Sequence, residues 1–180
     1  MDKQLTLNQS IKEAVFEALL QMLSTKSLDE ISISQLVKKA GICRATYYRN
    51  FDSKEDILIQ YMNLIYEEFF KNSNYTYERK SNESAYNFIY HRLCFIKKHK
   101  NFFIILNKEN ILYSVLYQTD LTYLQHLFQY QQQDDILESY QVAIGVGTTT
   151  AIINEWITNG FKETEQELAS MFIAIFGAIL

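Results

Sequence analysis

Between Ile31 and Lys54 the chain gathers Arg44, Ala45, Thr46, Tyr48, Arg49, Asn50 and Lys54. Guanidinium, hydroxyl, amide and ammonium groups packed this closely suit phosphate oxygens and the donor and acceptor edges of bases. The stretch holds Lys38, Lys39, Arg44, Arg49 and Lys54 against Asp52 alone, a local excess of four positive charges. The whole chain, with 17 basic and 21 acidic residues, has a net charge of −4. From Asp134 to Glu167 the balance reverses, with seven carboxylates against Lys162. Such a distribution brings one end of the molecule to a polyanion and holds the other away.

Two short helices must position these groups. Ile33, Leu36, Val37 and Ala40 recur at the spacing of one buried helical face. Ser32 with Gln35 forms a capping box at its start, and Gly41 supplies a residue that takes positive φ cheaply, so the helix stops and the chain turns. Ile42 plugs the space between the helices. A second helix then runs from about Cys43 to Asn50, with Tyr47 and Phe51 on its inner face. Ala45, Thr46 and Arg49 face outward, Arg44 lies in the first turn and Tyr48 on the flank. This is the layout of a helix-turn-helix DNA reader.

The same residues carry a resemblance. Ala40, Gly41, Ile42, Thr46, Tyr48, Phe51, Lys54 and Ile57 or Leu58 fit the pattern AG-hydrophobic-S-x-x-T-x-Y-x-x-F-x-x-K-x-x-L, and the first third of the chain thereby resembles the DNA-binding domain of the TetR family of bacterial transcriptional regulators. Cys43 departs from the pattern, standing where the family has a capping Ser; a thiol caps poorly, and at a helix N-terminus its pKa falls. The resemblance implies that Arg44, Ala45 and Thr46 approach base edges or nearby phosphates, with Arg49 beside them. Tyr48, Asn50 and Lys54 would hold the DNA backbone. Ser53 would cap the next helix, with Asp56 reaching back.

The remainder reads as helix throughout. The chain has no proline and five glycines, and 48% of its 180 residues are hydrophobic, so an all-α fold follows. A first helix from about Thr6 or Asn8 carries Ile11, Val15, Ala18, Leu19 and Met22 on one stripe. A long fourth helix from Ser53 through Phe69 joins a three-helix DNA-binding domain, residues 1–65, to a helical-bundle ligand-binding and dimerisation domain, residues 66–180. A polar loop is expected from Asn72 to Ser84, helix again from about Ala85 through Ile96, a basic C-terminal turn at residues 97–100, one or two buried helices over residues 102–128, and a break at residues 129–135. Two final helices separate at Asn159 and Gly160.

Ala143, Gly147 and Ala151 form a smooth stripe that lets another helix approach. Leu168, Met171, Phe172, Ile175, Phe176 and Ile179 form an apolar face broad enough for a partner. Tyr140, Ile144, Gly147, Trp156 and Gly160 resemble the C-terminal domain of a Gram-positive TetR subgroup. That resemblance implies a homodimer through Gly147, Ala151, Glu155, Met171, Phe172, Ile175, Phe176 and Ile179, reading a pseudo-palindromic operator. It also implies an effector site, for which Tyr61, Tyr66, His91, Phe95, Phe103, Tyr113, Tyr117 and Trp156 are candidate lining residues. A small molecule there would tilt the fourth helix and weaken operator binding.

Enzyme chemistry has no foothold: no nucleophile–base pair, phosphate loop or metal motif occurs, and His91, His99 and His126 lack ligand spacing. No cofactor is expected. No membrane-spanning run or signal-peptide core is present, so a cytoplasmic protein with Cys43 and Cys94 reduced is expected. The partners expected are double-stranded DNA, a second copy of the chain and a small-molecule or protein effector, with no membrane. The competing reading is a protein of this fold that has lost DNA binding and serves as a co-regulator or ligand carrier.

Overall fold

The computed structural model describes residues 3–72, 81–128 and 136–176. Among them the regular structure is α-helical: α1 (Lys3–Leu23), α2 (Ile33–Ala40), α3 (Arg44–Asn50), α4 (Lys54–Asn72), α5 (Asn82–Lys98), α6 (Lys100–Lys108), α7 (Leu112–Phe128), α8 (Ile136–Thr158) and α9 (Glu165–Phe176). Most of the expected loop after α4, the QYQQQDD break and Ile179 lie outside the described residues. Contacts divide the chain into Met1–Tyr66 and Glu67–Leu180; α4 begins in the first unit and ends in the second.

With no proline to stop a helix, the chain stops three of them by the same device. After α2, the Ile42 amide donates to Val37 O at 3.0 Å and the Gly41 amide to Lys38 O at 3.4 Å. After α6, Ile111 and Asn110 repeat this on Leu106 and Asn107, and after α8, Phe161 and Gly160 do so on Trp156 and Ile157. These paired bonds are Schellman turns, which need a left-handed residue. Gly41 supplies it at φ 69°, Asn110 at 59° and Gly160 at 75°, with Phe161 following at 60°. Of the one or two helices expected over residues 102–128, two form, α6 and α7, divided at the Asn110 turn.

In the first unit α1 packs on α2 and α2 on α3. Val15, Ala18 and Leu19 of the expected stripe are buried, joined by Phe16 and Leu23, while Ile11 and Met22 are half-exposed. Phe16 stacks on Tyr61 of α4 with ring centroids 3.3 Å apart. Tyr47 is fully buried and Phe51 nearly so, as their spacing predicts. The Tyr47 hydroxyl has no hydrogen-bond partner among the described residues, and burial, before the neighbouring carboxylates, pushes its pKa up.

In the second unit α8 packs on α6 and α7, and α9 on α5. The expected inner face of α5 is confirmed, with Phe88, Ile89, Leu93 and Ile96 buried. Its Arg92 is 4% exposed and paired with Asp120 of α7, itself 3% exposed. Thr150 of α8 donates its hydroxyl to the same carboxylate oxygen at 3.4 Å. A charge taken from water costs several kcal/mol and is retained in a core only where it is paired. Lys97 is not the solvated charge its basic run suggests. Its ammonium lies 5.3 Å from the Trp156 ring centroid and 5.1 Å from that of Phe161, a cation–π arrangement. The α9 start is fixed by a reciprocal cap: the Glu167 amide donates to Thr164 Oγ1 at 3.2 Å, and the Thr164 amide to the Glu167 carboxylate at 2.9 Å.

Two outcomes test this packing. Asp120→Ala, which leaves the Arg92 charge buried, is expected to destabilise the second unit by about 3–5 kcal/mol, whereas Arg92→Met combined with Asp120→Leu recovers most of that loss; denaturant unfolding measures both. Tyr47→Phe removes a buried hydroxyl and nothing else, so thermal melting should show unchanged or higher stability, with a gain of up to about 1–2 kcal/mol.

Candidate nucleic-acid interface

The support for α3 is built from α2 outward. Ser32 Oγ accepts the Gln35 amide at 3.2 Å while the Gln35 side chain accepts the Ser32 amide at 3.1 Å, the expected reciprocal box. With this cap at one end and the Gly41 turn at the other, α2 is fixed at both termini, and Leu36 and Val37 anchor it in the core. No Cβ contact would arise within 4 Å at Gly41, so torsion rather than space favours glycine there.

α3 is capped differently. Cys43 is its N-cap residue and makes no side-chain cap bond, as expected for a thiol. Its sulfur lies 3.2 Å from Thr46 Oγ1, and that hydroxyl, foremost among several hydrogen bonds, holds the thiol below its ordinary pKa. The helix ends where the Phe51 amide donates to Tyr47 O at 2.9 Å. Ser53 Oγ accepts the Asp56 amide at 3.0 Å, and Asp56 reaches back to the Asp52 amide at 3.0 Å rather than to that of Ser53.

Of the seven residues proposed to meet DNA, four are held by this scaffold. The Arg44 guanidinium donates to Ser34 Oγ of α2. Thr46 engages Cys43, and the Asn50 amide group turns back to Thr46 O at 2.8 Å. Lys54 donates from Nζ to the carbonyls of Leu28 and of Ile31, the latter at 2.9 Å, both in the connection between α1 and α2. Lys54 is thus first of all a strut inside the unit, with two of its three N–H groups committed; spacing alone does not show this. Ala45, Tyr48 and Arg49 are exposed, Tyr48 at 60%. Their side chains lie open beside Arg44 on one short helix, and Lys38 and Lys39 are exposed at the end of α2.

The candidate effector-site residues are distributed over both units. Tyr61 belongs to the first unit, stacked on Phe16, and Tyr66 is buried there too. Phe95 and Phe103 are core residues, and Trp156 is buried with its indole N–H donating to Glu163 O at 2.9 Å. His91 and Tyr113 are exposed, and Tyr113 stacks on half-buried Tyr117. A cavity of about 10 Å³ in the second unit is lined instead by Ile89, Arg92, Thr149, Ile153, Leu168 and Phe172, among others. It has room for about one water molecule. The polar group beside it, Arg92 with Asp120, escaped sequence reading because its partners lie on different helices, 28 positions apart.

The residues expected at a dimer interface also divide. Ala151, Glu155, Met171 and Ile175 are exposed, as are Tyr140 and Ile144. Phe172 is not available to a partner: it is 2% exposed and faces its own core beside Leu168. Gly147 is half-buried, and a Cβ there would stand 4.0 Å from the Tyr117 ring of α7, an ordinary contact, so space within the chain does not require glycine. The Phe176 side chain and Ile179 lie outside the described residues.

Comparison with known proteins agrees with the geometry of the first unit. Residues 12–61 match the N-terminal family model described as bacterial regulatory proteins, tetR family. An uncharacterized HTH-type transcriptional regulator of Bacillus subtilis (strain 168), YvdT, is 41% identical over 46 residues, which are 26% of this chain and 24% of that protein. The match thus spans about a quarter of the curated relative's length. Two solved structures share the fold over 93% of this chain, each with a TM-score of 0.57 and 16% identity: the dihydroxyacetone kinase operon activator DhaS, 94% covered, and a tetR-family transcriptional regulator from Streptomyces coelicolor, 81% covered. Residues 12–61 therefore match the N-terminal helix-turn-helix domain of the tetR family, on a chain whose fold is shared with a solved tetR-family regulator.

Proposed function

We propose that the protein is a transcriptional regulator that binds double-stranded DNA as a homodimer on a pseudo-palindromic operator, and acts by repression until a small-molecule or protein signal releases it. The observation that carries this reading is α3, a short helix held at a left-handed turn, with Arg44, Ala45, Tyr48 and Arg49 exposed in a stretch of excess positive charge. Catalysis is not part of the reading: the family match and the shared fold point to a regulator, not an enzyme.

One seven-residue helix reads few base pairs, so specificity calls for two copies related by a two-fold axis, with half-sites a multiple of about one DNA turn apart. Apolar side chains are exposed on the last two helices, Tyr140 and Ile144 of α8 with Met171 and Ile175 of α9, and in this reading the same two helices of a second subunit cover them in a four-helix contact. The resemblance of Tyr140, Ile144, Gly147, Trp156 and Gly160 to a Gram-positive subgroup supports the same assembly. Repression is the proposed sign because an occupied operator overlapping a promoter excludes polymerase. The neighbour named as an operon activator makes a reporter assay the arbiter of that sign. A small-molecule signal entering at the cavity beside Arg92 would have to enlarge it, and a protein signal would not.

Retardation of the DNA upstream of the protein's own gene tests the reading directly; failure to retard it or any fragment selected from the source genome overturns it. Ile144→Glu with Ile175→Glu should give a folded monomer by sedimentation and weaken operator binding about 100-fold through lost bivalency. Lys54→Met, which keeps the side-chain stem, should cost the first unit about 2 kcal/mol in denaturant unfolding and weaken binding to operator and random duplex alike. Unchanged stability would show that the ammonium is not a strut.

A further inference from the structure

We infer that Ser34, a residue outside the reading helix, is a positioning residue that aims Arg44 and thereby sets base preference. The inference rests on the DNA-binding reading above. Arg44 is the first residue of α3, where a cation meets the positive end of the helix dipole, and no acid stands in that turn to hold it. Cys43 gives the turn no side-chain cap. Left to these local forces the guanidinium would sample many rotamers, and a long side chain loses up to about 2 kcal/mol of conformational freedom on being fixed. The structure shows the compensating contact: Arg44 Nη2 donates to Ser34 Oγ, ten residues earlier.

Ser34 is well placed to serve as that fixed acceptor. It lies in the first turn of α2, two residues after Ser32 of the capping box, on a helix closed at its far end by the Gly41 turn and anchored by Leu36 and Val37. The rigid helix therefore lends its geometry to the less firmly capped one. A guanidinium carries five N–H donors, so one spent on Ser34 leaves others for a guanine edge or a phosphate. Ser34 acts before DNA arrives, by reducing the freedom that binding must remove.

The test uses the full chain as wild type, Ser34→Ala, Ser34→Thr, Arg44→Ala and the Ser34→Ala/Arg44→Ala double variant. Each protein selects from a pool of random duplexes, and its affinities for the wild-type selected sequence and for random duplex are then measured by fluorescence anisotropy over a range of salt. Circular dichroism melts confirm that each variant is folded. Ser34→Ala should lower the ratio of selected to random affinity about fivefold and flatten the same base position as Arg44→Ala, with affinity for random duplex and the salt slope unchanged. Ser34→Thr, which keeps the hydroxyl, should restore the preference, and the double variant should be no worse than Arg44→Ala alone. Additive losses in the double variant, or an equal fall on both DNAs for Ser34→Ala, overturn the positioning role while leaving DNA binding intact. A folded wild type that binds no duplex overturns the DNA-binding reading and this inference together.

Discussion

The turn at Gly41 is the constraint on which the reading unit depends. Its φ of 69° is a torsion that a residue with a Cβ adopts at a cost of roughly 1–2 kcal/mol, although the space around it is open. Because the turn fixes where α3 starts, it also fixes which side chains face inward. Tyr47 and Phe51 enter the core, Arg44, Thr46 and Asn50 bond within the unit, and Ala45, Tyr48 and Arg49 stay exposed. The unit is then tied across its far side by Lys54, whose ammonium joins the beginning of α4 to the connection before α2. Torsion at one point and a charge-assisted strut at another hold a helix too short to be stable alone.

The second unit solves a different problem. It carries the ion pair of Arg92 and Asp120 inside a helical core, with the Thr150 hydroxyl on the same carboxylate. Charge buried this way contributes less to stability than an apolar replacement can, yet it penalises any arrangement in which either member lacks its partner. Three helices, α5, α7 and α8, meet at that cluster, which makes their mutual register discrete rather than sliding.

What was legible in the sequence followed from local periodicity and local turn chemistry. The α2 stripe, the capping box of Ser32 and Gln35, the Gly41 stop and the inward Tyr47 all depend on neighbours within eight positions, where spacing determines facing. Contacts that bridge distant positions were not legible. Arg44 looks like a free cation until Ser34 is folded against it, Lys54 looks like a phosphate ligand until the carbonyls of Leu28 and Ile31 come within reach, and Lys97 looks solvated until Trp156 lies beneath it. The position of the stop after α6 is not legible because Asn110 does the work more often given to glycine. Phe172 looks like a partner-surface residue until its own core covers it, because apolar content along a helix does not say which half of it the chain covers itself. An effector site is not legible at this level, since aromatic side chains that line a cavity and those that fill one are identical in sequence.

Trp156 also makes the molecule optically asymmetric. It is the chain's single tryptophan, it lies in the second unit, and its indole is bounded by Phe161, the Lys97 ammonium and the Glu163 carbonyl. The unit that carries α3 has tyrosines but no indole. Emission excited selectively at the red edge of the indole band therefore originates entirely in the acidic, C-terminal half, near the end of α8. The protein carries its own spectroscopic label on one unit, so the melting of that unit is distinguishable from that of the other without any added dye.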